Sequence, residues 1–195
     1  MFWFNNRIKL ETNRLILRPP TFSDFRGWAQ LRYESREFLK PWEPTWSEDH
    51  LTAKSFKNRV AWSRKSISLG TAIPLMLFKK NDGDLVGAIT LDNIRRGPSQ
   101  MGTLGYWTGK KYARQGYMKE AIRLMVGYAY SSIDLSRIES SCLPENRASI
   151  SLLEKSGFNY EGVAQNYIKI NGRWRTHMIY ANLRYDRKMT EHTDN

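Results

Sequence analysis

A single cysteine, Cys142, among 195 residues leaves no partner for an intrachain disulfide and excludes a multi-cysteine metal centre. Histidine is nearly as scarce. His50, His177 and His192 lie far apart without ligand-type spacing, so each reads as a surface or structural residue and no metal is expected. No stretch approaches the roughly 20 apolar residues of a spanning helix. The start, Met1-Phe2-Trp3-Phe4-Asn5-Asn6-Arg7, has aromatic residues but no apolar run of signal-peptide length, so a cytoplasmic protein without a membrane partner is expected. Acidic residues are also few: 19 Asp and Glu against 31 Lys and Arg give a net charge of +12. Such an excess attracts anions to some surface, whether a highly charged small molecule, RNA or other nucleic acid, or an acidic protein. No run of five basic residues marks a nucleic-acid tail.

The length suits one domain over residues 1–195, with an ordered core of about 8–186. Arg14-Leu15-Ile16-Leu17-Arg18 reads as a strand stopped by Pro19-Pro20. Thr21 and Asp24 resemble a capping box at the head of a helix over about 22–34, and Ser47 is the expected cap of a second helix running to about Lys65. Between them, Trp42 and Trp46 alternate with Pro41 and Pro44 in a loop that suits either the lining of a binding groove or a small satellite core. Strands follow over 73–78 and 85–94, joined by the turn Asn81-Asp82-Gly83-Asp84, then over 103–108. Gly105 inside that third strand suggests a bulge or the close approach of a ligand. A helix over 119–131, a strand over 138–143, a helix capped by Asn146 and closed by Gly157, and a hairpin turning at Asn171-Gly172 complete the order. The order indicates an α+β or mixed α/β sheet flanked by helices.

The segment from Tyr106 to Ala121 links a strand to a helix with Gly116 at the turn. Unpaired N–H groups at such a helix start converge on one spot, and the dipole adds positive character, so a pyrophosphate would fit at Ala113 to Met118. Arg114 and Lys110 or Lys111 could add charge-assisted bonds. Here the chain resembles the GNAT superfamily of N-acetyltransferases, in particular the ribosomal-protein-alanine N-acetyltransferases of the RimJ/RimL type. Its GYWTGKKYARQGYMKEAI is similar to their cofactor motif, its ENRASISLLEKSGF to their next helix, and its EGVAQNYIKINGRWRTHMIYANL to their closing hairpin. The resemblance runs from Leu10 to Leu183 and implies the GNAT fold, a mostly antiparallel twisted sheet of six or seven strands flanked by helices. The motif departs from the general superfamily pattern at Ala113 and Arg114, and only Gly116 matches its centre.

What the resemblance implies is acetyl transfer from acetyl-CoA to an amine, by direct attack in a ternary complex. The cofactor would lie along Tyr106, Trp107 and Thr108, with its pyrophosphate on Ala113, Arg114, Gln115, Gly116, Tyr117 and Met118. Asn146 and Ser149 would hold the pantetheine arm. Many members carry a thiolate-protonating tyrosine where this chain has Leu153, which leaves Ser149 or a water it holds as the proton donor. Glu161 is the first candidate for the base and Glu139 the second, and N–H groups around Tyr106 and Trp107 could receive the oxyanion. A covalent route through Cys142 lacks a nearby histidine. The implied acceptor is a protein N-terminus, such as that of a ribosomal protein, with association with the ribosome as monomer or homodimer. A small amine or antibiotic, or a non-catalytic RNA-binding module, is the alternative. Against the last, no RNP-like or Gly-x-x-Gly signature occurs.

Overall fold

Leu15 and Leu17 are wholly buried while their neighbours Ile16 and Arg18 are not, the period of two that a strand with one covered face requires. This strand, β2 (Leu15–Arg18), is one of eight in a single sheet in the computed structural model, which describes residues 8–185. The others are β1 (Leu10–Glu11), β3 (Ile73–Lys79), β4 (Leu85–Arg95), β5 (Met101–Thr108), β6 (Arg137–Cys142), β7 (Asn159–Ile170) and β8 (Arg173–Leu183). They lie in the order β1-β2-β3-β4-β5-β6-β8-β7. The two-residue β1, too short to show a period, is the strand missing from the expected six or seven. Among the described residues five α-helices accompany the sheet: α1 (Phe25–Glu34), α2 (Arg36–Leu39), α3 (Ala53–Leu69), α4 (Tyr117–Ser131) and α5 (Arg147–Glu154).

Every neighbouring pair is antiparallel except β5 and β6, which run parallel. That pair is joined only at its start, Met101–Thr103 against Arg137–Glu139. Beyond a last bond from Ser140 Oγ to the Leu104 carbonyl (2.9 Å), the strands part. The edge of β5 from Gly105 to Thr108 is therefore left without a strand partner on that side.

Helices cover both faces. Trp28 of α1 packs on Phe56 of α3 at 4.9 Å between ring centroids, and Arg32 of α1 lies over Trp107 of β5, so α1 and α3 share one face. On the other, Tyr130 of α4 donates to Asn182 Oδ1 (2.8 Å) and Tyr180 donates to Glu154 of α5 (3.3 Å). Asn182 and Tyr180 pair with Ile138 and Ser140, alternate residues of β6, which places α4 and α5 together.

The expected capping box forms, with the Thr21 N–H donating to Asp24 Oδ2 (2.7 Å). The second helix begins later than expected. Ser47 spends its hydroxyl on Asp49 and its carbonyl on the N–H of His50, in a turn that precedes α3, and Thr52 is the cap, accepting from the Ser55 N–H at 3.2 Å. Gly105 is not at a bulge. It pairs in register with Thr90, and a Cβ there would meet nothing within 4 Å, so this glycine leaves space over the strand rather than bending it. No helix among the described residues is long and apolar enough to cross a membrane. His192 lies outside the described residues.

Candidate active site

The residues between β5 and α4 turn twice through the left-handed region, at Arg114 (φ +62°) and at Gly116 (φ +83°), the residue that caps α4. Because Gly116 has no side chain to accept a bond, the N–H groups of Gln115, Gly116, Tyr117 and Met118 find no acceptor among the described residues. Converging free N–H groups at a helix start make a concave site for a phosphate. Arg14, on the strand side, braces this loop. Its Nε donates to Glu120 (2.6 Å), its Nη2 to the Gln115 carbonyl (3.1 Å), and its guanidinium stacks over the Tyr117 ring at 4.4 Å. That brace, about 100 residues away in sequence, carries no local sequence signal.

At the mouth of the gap between β5 and β6, Tyr106 and Ser149 share a hydrogen bond of 2.6 Å. Burial pushes the Tyr106 phenol up from its ordinary pKa, and the bond to Ser149 offsets this only in part. Asn146 caps α5 through Oδ1, which accepts from the Ser149 N–H (3.1 Å), so its amide donors remain free for a ligand. Leu153 is fully buried in the core and faces no reactant. Cys142 is buried beside Ser149, and burial raises its thiol pKa, which keeps it protonated and unreactive near neutral pH.

Alternation along β5 turns Gly105 and Trp107 away from Tyr106, toward the face of α1. Glu139, paired with Thr103, lies on this same face at the closed end of the gap. Glu161 is the extra residue of a bulge between Tyr160 and Gly162 on β7, which re-aims its side chain. Both carboxylates meet one arginine: Arg137 donates from Nε to Glu139 (2.8 Å) and from Nη1 to Glu161 (2.9 Å). The hydrogen bond from Arg137 holds the Glu161 carboxyl below its ordinary pKa against a small desolvation in the other direction. Both candidate bases are thus gathered, but around a residue that the sequence did not single out. The two-tryptophan loop divides: Trp46 packs into a cluster around Arg32, whereas Trp42 leaves about a third of its surface exposed (36%).

A sheet that opens between two parallel strands, a phosphate-sized nest at the head of the following helix and hydroxyl and carboxylate groups on either side define an acyl-CoA-type acyltransferase. The acetyltransferase (GNAT) domain family matches residues 14–159, and the chain belongs to it. It is an N-acetyltransferase. The [ribosomal protein uS5]-alanine N-acetyltransferase of Escherichia coli is 32% identical over 175 residues, 90% of each chain. Probable N-acetyltransferase YjcK of Bacillus subtilis is 32% identical over 177 residues, covering 91% of this chain and 98% of its own. Among solved structures, Mycobacterium smegmatis RimJ in complex with CoA-disulfide superposes with a TM-score of 0.83 at 27% identity, over 88% of this chain and 83% of that one.

Proposed function

We propose that the chain works as one cytoplasmic domain that moves the acetyl group of acetyl-CoA to the α-amine of a protein N-terminus, such as that of a ribosomal protein. The observation that carries this reading is the gap between β5 and β6, with a phosphate nest and hydroxyl groups on one side and paired carboxylates on the other. The pyrophosphate would rest on the N–H groups from Ala113 to Met118, with Arg114 and Lys110 or Lys111 beside it. The pantetheine arm would follow the free edge of Tyr106, Trp107 and Thr108 and meet the amide of Asn146.

In the reaction, the amine nitrogen attacks the thioester carbonyl and the C–S bond breaks. N–H groups of Tyr106 and Trp107 would bind the oxyanion. An α-amine, with a pKa of about 8, is the easier nucleophile than lysine at about 10.4 near neutral pH. Glu161, with Glu139 as second candidate, takes the proton released by the amine, directly or through water. On the opposite face Ser149 passes a proton to the departing thiolate, and the phenol of Tyr106 holds the Ser149 hydroxyl in place. The test is CoA release with a panel of free N-terminal peptides, N-acetylated lysine peptides and small amines. Free N-termini should react fastest. A clear preference for the blocked lysine peptide or for an aminoglycoside would contradict the reading.

A further inference from the structure

Three glycines lie on β4 and β5, and packing accounts for two of them. A Cβ on Gly87 would run into the Trp107 carbonyl, and one on Gly102 would stand 2.9 Å from a Leu91 methyl. Gly105 is different. Its φ is not left-handed, it pairs in register with Thr90, and its Cβ would touch nothing within 4 Å. A glycine weakens a strand, because it adds backbone freedom to the unfolded chain and packs no side chain. The sheet is therefore weakened at Gly105 for no reason of conformation or packing.

The missing side chain leaves room in a defined place. Gly105 alone of the eight residues of β5 is exposed, while Thr103 and Trp107, two positions away on the same face, are half-buried, as is Thr90 across from it. Thr103 and Trp107 stand roughly 13 Å apart along the strand, at about 3.3 Å per residue, and the position midway between them carries only hydrogen. This slot lies on the face of Glu139 and Glu161, opposite the hydroxyls of Tyr106 and Ser149. It is also next to Tyr106, where β5 has lost its strand partner and the gap opens.

One end of the slot is held firmly. Arg32, 5% exposed, lies over the Trp107 ring at 4.7 Å and over the Trp46 ring at 4.3 Å. Its Nη1 donates to Glu43 Oε1 (2.7 Å), Trp46 Nε1 donates to Glu43 Oε2 (2.8 Å), and His50 stacks on Trp46 at 4.5 Å. The N–H of Asn171, at the tip of the β7–β8 hairpin, donates to the Glu43 carbonyl (3.0 Å) and ties this cluster to the far side of the site. An amine that attacks a thioester in the gap at Tyr106 brings its own carbon atoms over the nearest positions of that face, Gly105 and Trp107. Trp107 is pinned under Arg32, so only Gly105 offers room.

We propose that Gly105 is a specificity-determining residue of the acceptor side: the first residue of the acceptor seats its Cα and side chain in the slot above Gly105, and the bulk at position 105 sets the size that is admitted. The proposal rests on the N-terminal reading for its substrate, while the slot itself can be measured with any amine that carries a substituted α-carbon. A side chain placed at 105 fills the same volume, so it excludes acceptors by size and leaves the cofactor alone.

The experiment measures kcat/KM for two peptides that differ only in beginning with glycine or alanine, with glycinamide and alaninamide as a second pair, in the wild type, Gly105→Ala and Gly105→Val. Calorimetry with acetyl-CoA reports folding and cofactor affinity for each variant. Both members of a pair meet the same enzyme, so their ratio does not depend on the amount of folded protein. The alanine-to-glycine ratio should fall by on the order of ten-fold in Gly105→Val, with Gly105→Ala in between and acetyl-CoA affinity unchanged. Should Gly105→Val leave no measurable turnover, the ratio is read from Gly105→Ala. A ratio that stays at the wild-type value overturns the slot while leaving N-terminal acetylation standing. Weakened acetyl-CoA binding in Gly105→Val also overturns it, since the space would then belong to the cofactor. If the peptides fail but the amides react with the shifted ratio, the slot stands and the protein-acceptor reading falls. A wild-type protein that binds acetyl-CoA but acetylates none of the four contradicts both.

Discussion

The hydroxyls of Tyr106 and Ser149 meet at 2.6 Å across the space between β5 and α5, one from a strand and one from the first turn of a helix. In family members with a tyrosine in the helix, a single phenol would serve the leaving thiolate. Here the phenol comes from the strand and Leu153 fills the helix position. Tyr106→Phe and Ser149→Ala should each lower kcat roughly three- to ten-fold, because solvent can still protonate a thiolate with a pKa of about 8.5. Two groups acting as one unit are not additive, so the double variant should be no slower than the worse single one. Full additivity in steady-state kcat would show that the hydroxyls act separately.

Gly116 holds the turn of the proposed phosphate nest in a left-handed conformation, and a Cβ there would stand 3.2 Å from Arg14 Nη2. Gly116→Val should weaken acetyl-CoA binding by about ten-fold or more, since a β-branched residue at positive φ costs roughly 1–2 kcal/mol and drives the N–H groups off their common target. Gly116→Asn, which tolerates that φ, should lose less. Unchanged affinity by calorimetry in a folded Gly116→Val protein would place the pyrophosphate elsewhere.

Arg137 keeps Glu161 ionised well below neutral pH. The acid limb of kcat/KM should therefore follow the acceptor α-amine near about 8, with no second limb between about 5 and 7. Glu161→Gln should lower turnover by roughly 10²- to 10⁴-fold with cofactor affinity intact. A variant with full turnover and the same profile would transfer the role to Glu139 or to ordered water.

His50 should stay neutral in the folded protein. Desolvation, then the Arg32 and Arg59 charges, pull its pKa down to about 4, against weaker opposing effects of Glu43 and Asp49. A depressed pKa makes the unfolded chain the better proton acceptor, so this contribution to stability is complete above about 6.5 and is lost as pH falls toward about 4. Chemical-shift titration of the His50 ring should show no midpoint near 6.5. A midpoint there would mean that the ring is not shut into the arginine cluster.

Where a feature depended on neighbours in sequence, it could be read directly. Asn146 caps α5 because a side-chain oxygen three residues before an N–H needs nothing else, and the capping box of Thr21 and Asp24 is equally local. Arg114, one of the two positions where the motif departs from the superfamily pattern, occupies a left-handed conformation, so the departure in sequence and the unusual backbone coincide. Ser47 has the side chain of a cap as well, but its hydroxyl bonds Asp49 and its carbonyl takes the His50 N–H, in a turn whose His50 ring stacks on the Trp46 ring rather than opening a helix. Gly105 sits at an ordinary strand position whose empty space becomes visible only in three dimensions. Long-range pairs left no trace at all: Arg14 with Glu120, Arg137 with Glu161, and Arg32 with both Trp46 and Trp107 join elements that the sequence keeps apart.

The most direct measurement uses acetyl-CoA labelled with ¹³C in the acetyl group and one peptide that carries both a free N-terminal alanine and an internal lysine. Fragmentation mass spectrometry then locates the label. It should lie on the alanine nitrogen, with lysine modified far more slowly near neutral pH and no transfer without the enzyme. Label on the lysine side chain, or none on a peptide under conditions where small amines are acetylated, would contradict N-terminal acetylation as the function of this site.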